Sequence, residues 1–135
     1  MALEAGFPMT IIVDDAGGTP RTLSAVINTV QFATPRGVQD VTGVSMSAIA
    51  RLLLLADQTV TYGLAAFDDA SNSSHDVFKT VSSSSVARTN SIALSGQTLA
   101  TEMYFTDYQL NRGADGSITA SVPGVLANGA VPTWA

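Results

Sequence analysis

Three stretches alternate apolar and polar side chains residue by residue. In RTLSAVINTV, Leu23, Ala25 and Ile27 alternate with Thr22, Ser24, Val26 and Asn28. In QTVTYGL, Val60, Tyr62 and Leu64 alternate with Thr59, Thr61 and Gly63, and in GSITASV, Ile118, Ala120 and Val122 alternate with Ser117, Thr119 and Ser121. A period of two belongs to strands with one buried face. MTIIVD (9–14), RTNSIALS (88–95) and TLATEMYFTDYQL (98–110) read as further strands. The last has Met103 and Phe105 on one face and Tyr104, Tyr108 and Leu110 on the other, which suits a strand covered on both sides. Turn signals separate the runs at Gly17-Gly18, Pro35 to Gly37, Ser95-Gly96 and Asp115-Gly116, the last expected to join a hairpin. Many short strands with regular turns predict a mainly β chain, a β-sandwich or open β-barrel. No shift in composition divides residues 1–135, so one domain is expected, with QFATPRGVQ, DDASNSSHD and SSSS (82–85) as loops.

DVTGVSMSAIARLLLLAD (40–57) departs from that pattern. Met46, Ile49, Ala50 and Leu53 fall at i, i+3, i+4 and i+7, predicting one long helix over about 45–56 with Ser45 or Ser47 as N-cap. Leu52, Leu54 and Leu55 then point away from that stripe, so the helix needs a second partner besides its own sheet. A short helical turn with Ser74 as cap is predicted around SSHDVFKTV.

Eleven acidic residues oppose six basic ones, a net charge of -5, which argues against a grip on nucleic acid. Charged residues make up 13% of the chain, against roughly 25% in ordinary soluble domains, so much of the surface is expected to be covered by other subunits. The chain has no cysteine, and neither disulfides nor thiolate metal sites are possible. MALEAGFPMTIIVDD lacks the basic start and the long apolar run of a signal peptide or membrane span, so synthesis in the cytoplasm without a membrane partner is expected. His75 stands beside Ser73, Ser74 and Asp76, yet no GxSxG-type turn accompanies it. Asp14-Asp15 and Asp68-Asp69 lie outside any DxDxDG loop and read as caps of backbone amides. No phosphate-binding glycine loop is present. No enzyme activity, metal or cofactor is expected.

Residues 123–135, VPGVLANGAVPTWA from Val122 onward, contain Pro123 and Pro132, which lack amide donors. They predict an extended arm that either reaches a neighbour or folds back, anchored by Val125, Leu126, Val131 and Trp134.

The order DVTG, a helix, a strand, FDDASNSSHDVFKTV, then SGQTLATEMYFTDYQLNRGADGSITASVPGVLANGAVPTW resembles the major tail tube proteins of long-tailed bacteriophages, especially those of actinobacteria. The resemblance implies a tail tube fold, a β-sandwich flanked by one helix, with six copies closing into rings that stack into a tube. It implies a structural protein of the virion, assembled in the host cytoplasm, with itself, tape measure, terminator and distal tail proteins as partners, and genomic DNA passing through the lumen unbound. Subunit contacts are then expected at Met46, Ile49, Leu52, Leu54 and Leu55, at Phe32, Pro35 and Arg36, and at Val125, Leu126 and Trp134. Glu102 and Asp107 are candidates to line the lumen, where like charge repels phosphate. Alternatives are another head-tail, terminator or decoration protein, or a carbohydrate- or cell-binding module using Tyr62, Tyr104 and Tyr108.

Overall fold

The computed structural model describes residues 9–135; the reading of the first residues as free of a signal peptide falls partly on residues 1–8, outside the described residues. In chain order the elements are β1 (Thr10–Asp14), β2 (Pro20–Thr22), β3 (Ile27–Ala33), β4 (Arg36–Asp40), β5 (Arg51–Ala56), β6 (Thr59–Leu64), α1 (Ser74–Phe78), β7 (Arg88–Leu94), β8 (Gln97–Phe105), β9 (Gln109–Arg112) and β10 (Ile118–Leu126). Eight strands form one antiparallel sheet along the path β2-β1-β7-β8-β10-β6-β3, with β9 also on β10, while β4 and β5 pair only with each other. The path ends on β2 and β3 without closing.

Period-two burial produces the core. Ile11 and Val13 from β1, Val60, Tyr62 and Leu64 from β6, Ile92 from β7, Met103 and Phe105 from β8 and Val122 from β10 share one cluster with Val77 and Phe78 of α1. Strands far apart on the path meet in that cluster, so the sheet curls, and α1 fills its concave side. The Phe78 ring meets Phe105 edge-on at 5.5 Å and Tyr108 at 5.9 Å. Buried Arg88 on β7 ties down the end of the helix, donating to the Val77 carbonyl and, at 2.8 Å, to Thr80 Oγ1. The β7–β8 turn is Ser95-Gly96, both with positive φ (52° and 80°), the pattern that matches the twist of a two-residue hairpin. Midway along β10, a Cβ on Gly124 would lie 3.0 Å from the Phe105 ring and 3.1 Å from Val60, so the bare backbone is what lets that ring pack.

The helix expected over 45–56 is replaced by a hairpin. Residues 41–50 form a loop and Arg51–Ala56 is β5, in register with β4 through Val38↔Leu53, Gln39↔Leu52 and Asp40↔Arg51. A short apolar run does not by itself distinguish strand from helix, and local polar side chains settle the matter. The Asp40 carboxylate accepts the Thr42 N–H at 2.9 Å, Thr42 Oγ1 accepts the Ala50 N–H at 2.9 Å, and the Val41 N–H donates to the Ala50 carbonyl at 2.9 Å. Such bonds offer the backbone an alternative to the helical ladder. The helix that flanks the sheet is the short α1, whose N-cap position is Ser73 rather than Ser74.

Three other boundaries differ. RTLSAVINTV is two strands, because the Leu23 carbonyl accepts both the Val26 and Ile27 N–H groups and turns the chain between β2 and β3. The stretch 98–110 breaks at 106–108 between β8 and β9, and QFATPRGVQ, expected as a loop, holds the end of β3 and most of β4. The arm expected from 123 begins only after Leu126, because β10 continues through Pro123. The Pro123 carbonyl accepts the Thr106 N–H at 3.1 Å. Its ring nitrogen therefore faces the same side, at the gap where β8 has ended and β9 has not begun, and no ladder bond is lost. The remaining residues fold back on their own sheet. Ala135 exchanges two backbone bonds with Thr98 (2.8 and 2.9 Å), Trp134 bridges Leu99, and the Trp134 ring lies 5.9 Å from Phe32.

Candidate functional site

The residues that alternate with the core form the convex face of the sheet. β1 contributes Thr10, Ile12 and Asp14; β7 contributes Thr89, Ser91 and Ala93; β8 contributes Thr98, Ala100, Glu102 and Tyr104, all half-buried or exposed. Registers carry the surface across the neighbouring strands: Thr89 opposes Glu102, Val125 opposes Tyr104 and Thr59, Pro123 opposes Thr61, and Ser121 opposes Gln109. Among the described residues this face bears two carboxylates, Asp14 and Glu102, and no base. Arg88 is buried on the opposite face, Arg21 opposes core-facing Val13, Arg112 opposes Ile118, which shares the face of Ala120, Arg36 and Arg51 lie on the hairpin, and Lys79 follows α1. Glu102 accepts a hydrogen bond from the Thr89 hydroxyl. Asp107 is not on this face; it sits in the break after β8, accepting the Tyr108 N–H at 2.8 Å. The two acids therefore do not compete by strand parity, and the signal for the face itself was the threonine and serine alternation.

The second feature is the β4–β5 hairpin with its loop. Leu52, Leu53, Leu54 and Leu55 are 54, 62, 44 and 90% exposed, and Met46 and Ile49 are exposed in the loop. Pro35 begins the turn into β4, and the Arg36 guanidinium donates twice to the Leu54 carbonyl, at 2.9 and 2.8 Å, bracing the root of the hairpin. Val38 and Val44, exposed beside them, were not singled out in the sequence because neither falls on a helical stripe. Of the other expected contact residues, Phe32 packs against the core, Leu126 is half-buried, and Val125 and Trp134 remain exposed at 39 and 41%.

The hydrolase-like residues do not converge. Ser73 Oγ donates to Asp68 at 2.7 Å, Ser74 is buried, and His75 sits tilted against Phe67 (4.6 Å) and Tyr108 (6.0 Å). One aspartate of each pair caps backbone amides: Asp15 accepts from Gly17 and Thr19 and pairs with Arg21 at 3.1 Å, and Asp68 accepts from Ala70. The Thr19 amide, with Arg21 and Gly17, holds the Asp15 carboxyl below its usual range, and the Ser73 hydroxyl and Ala70 amide do the same for Asp68. A lowered carboxyl stabilises the fold at neutral pH and loses that contribution as pH falls through its folded value. The Thr19 and Ala70 amide resonances are accordingly expected to hold steady on acidification until below 3.8, the ordinary aspartate value, and then to shift with their carboxylates in an NMR titration. The three tyrosines do not form an exposed platform: Tyr62 is fully buried and bonded to Asn90, Tyr108 packs on the core, and Tyr104 is exposed.

No protein-family model matches the sequence, and no curated relative matches it. The fold is shared with solved chains of tail particles. A chain from the tail of an empty gene transfer agent particle, refined helically with C6 symmetry, superposes with a TM-score of 0.78 at 13% identity over 98% of each chain. A chain from the virion of the native gene transfer agent particle gives 0.78 at 12% identity, covering 98% of this chain and 99% of that one. A chain of the six-fold symmetrised anti-feeding prophage baseplate gives 0.65 at 8% identity, covering 100% and 97%. The chain thus shares its fold with chains of phage-like tail, virion and baseplate structures.

Proposed function

We propose that this chain is a structural, non-enzymatic subunit of a phage-like tail, assembled in the host cytoplasm and carried in the virion. Six copies close into a ring, rings stack into a tube, and the convex face of the sheet, with Glu102 and Asp14, lines the lumen through which DNA leaves the particle. The observation that carries this reading is the convex face itself, rich in threonine and serine and free of lysine and arginine. Neutral and acidic walls give phosphate nothing to hold, so DNA slides. Open edges at β2 and β3 are a liability in a lone sheet, and pairing between copies removes it. The contacts between copies are assigned to Met46, Ile49, Leu52, Leu54 and Leu55, with Pro35 and Arg36 toward the next ring and Val125, Leu126 and Trp134 beside them. Tape measure, terminator and distal tail proteins are the further partners. Electron microscopy of the concentrated purified protein is expected to show rings or tubes of six-fold symmetry; dispersed monomers would overturn the proposal. The same material is expected not to retard duplex DNA in a gel shift at physiological salt, and tight, salt-sensitive binding would exclude a sliding lumen.

A further inference from the structure

The core holds a polar island between β6 and the β7–β8 pair. At the end of β10 the Leu126 N–H donates to the Gln58 carbonyl and the Ala127 N–H to the Glu102 carbonyl, both at 3.0 Å, which brings Gln58, just ahead of β6, alongside β8. Its side chain completes the approach, since the Thr101 hydroxyl donates to Gln58 Oε1 at 2.7 Å. Asn90 on β7 stands directly opposite Thr101, a pairing that sets the two side chains about 5 Å apart, and Asn90 Oδ1 accepts the Tyr62 hydroxyl. Gln58 and Asn90 are fully buried. Each amide spends its oxygen in these bonds, and among the described residues neither Gln58 Nε2 nor Asn90 Nδ2 has an acceptor. Turning either amide over does not help, because it moves the loose end from nitrogen to oxygen. Buried donors without partners are costly and rare, and two of them flank one hydroxyl here.

We infer that Gln58, Asn90 and Thr101 enclose a binding site for one water molecule, which accepts from Gln58 Nε2 and Asn90 Nδ2 and donates to Thr101 Oγ1. The Thr101 oxygen is free to accept, because donating to Gln58 leaves its lone pairs unused. Three bonds is the usual number for an internal water. The ligand is neutral. An anion taken into this core would need a charged partner, and Arg88, the base on the same face of β7, already gives its guanidinium to the Val77 carbonyl and Thr80 Oγ1. The water ties the start of β6 to β7 and β8 from inside the core, and so holds the curl of the sheet at the end of β10. It does so within one subunit, whatever that subunit assembles into.

The test is a density map of the full chain, free or assembled, sharp enough to show ordered water. One peak is expected within about 3 Å of Gln58 Nε2, Asn90 Nδ2 and Thr101 Oγ1. Gln58→Met with Thr101→Val removes two of the three partners together with the hydroxyl that Gln58 serves, and is expected to keep the fold and lose the peak. If that pair fails to fold, the wild-type map decides by itself. A wild-type map with no peak, or with protein acceptors on both amides, overturns the site, as does a peak that persists in the double variant. Two separate peaks, one on each amide, overturn the shared water. With bromide as the only halide in the buffer the peak is expected to stay that of water, and a bromide signal there would mark an anion site instead.

Discussion

Phe78→Ala is expected to cost the folded subunit roughly 3–5 kcal/mol, the range for removing a fully buried aromatic side chain. Phe78 is one of two large side chains that α1 inserts into the concave side of the sheet, where it meets Phe105 and Tyr108. The helix is only five residues long, far below the length at which a helix holds itself together in water. Its packing, not its propensity, therefore keeps it in place, assisted by Arg88 at the Val77 carbonyl. Loss of the ring opens a cavity beside Phe105, which is then left to its contact with Tyr62. In thermal unfolding the midpoint is expected to fall by on the order of 10–20 °C. Phe67→Ala, which removes a ring that is 40% exposed, serves as the comparison and is expected to shift the midpoint by only a few degrees. Equal losses for the two variants would mean that α1 is not the keystone of the concave side.

Replacing Asp14 and Glu102 together with lysine is expected to convert the convex face from indifferent to adhesive toward DNA. Each subunit changes by four charge units on that face, and the cross-strand neighbours there, Thr89 and Ser91 among them, supply hydroxyl donors but no competing carboxylate. Assembled protein carrying both substitutions is expected to bind duplex DNA at least about tenfold more tightly than wild type, with affinity falling steeply as salt rises. Glu102→Gln with Asp14→Asn is the control, expected to leave DNA unbound because it removes charge without adding phosphate contacts. If the lysine variant assembles and still ignores DNA, the convex face is not exposed to the lumen.

The sequence determined the strands with one wet face. Val60, Tyr62 and Leu64 alternate with threonines because β6 buries one face against the core and leaves the other wet, and a period of two records that directly. The Asp115-Gly116 hairpin was legible for the same kind of reason, since Gly116 adopts φ 90°, where glycine has no steric penalty.

What the tertiary structure decided lay where local pattern is degenerate. RLLLLA reads equally as a helical face or as a strand, and the choice fell to β4, a partner eleven residues upstream of Arg51 at its paired Asp40, and to the Asp40 and Thr42 bonds that hold the intervening loop. Pro123 looked like the end of a strand, and only the gap between β8 and β9 made a missing N–H harmless there. The convex face was assembled from single residues on six strands, and its lack of bases follows from registers that place Arg88, Arg21 and Arg112 elsewhere. Strand parity is written in the chain; which strand lies beside which is set by long-range pairing, whose free energy no short window of sequence contains.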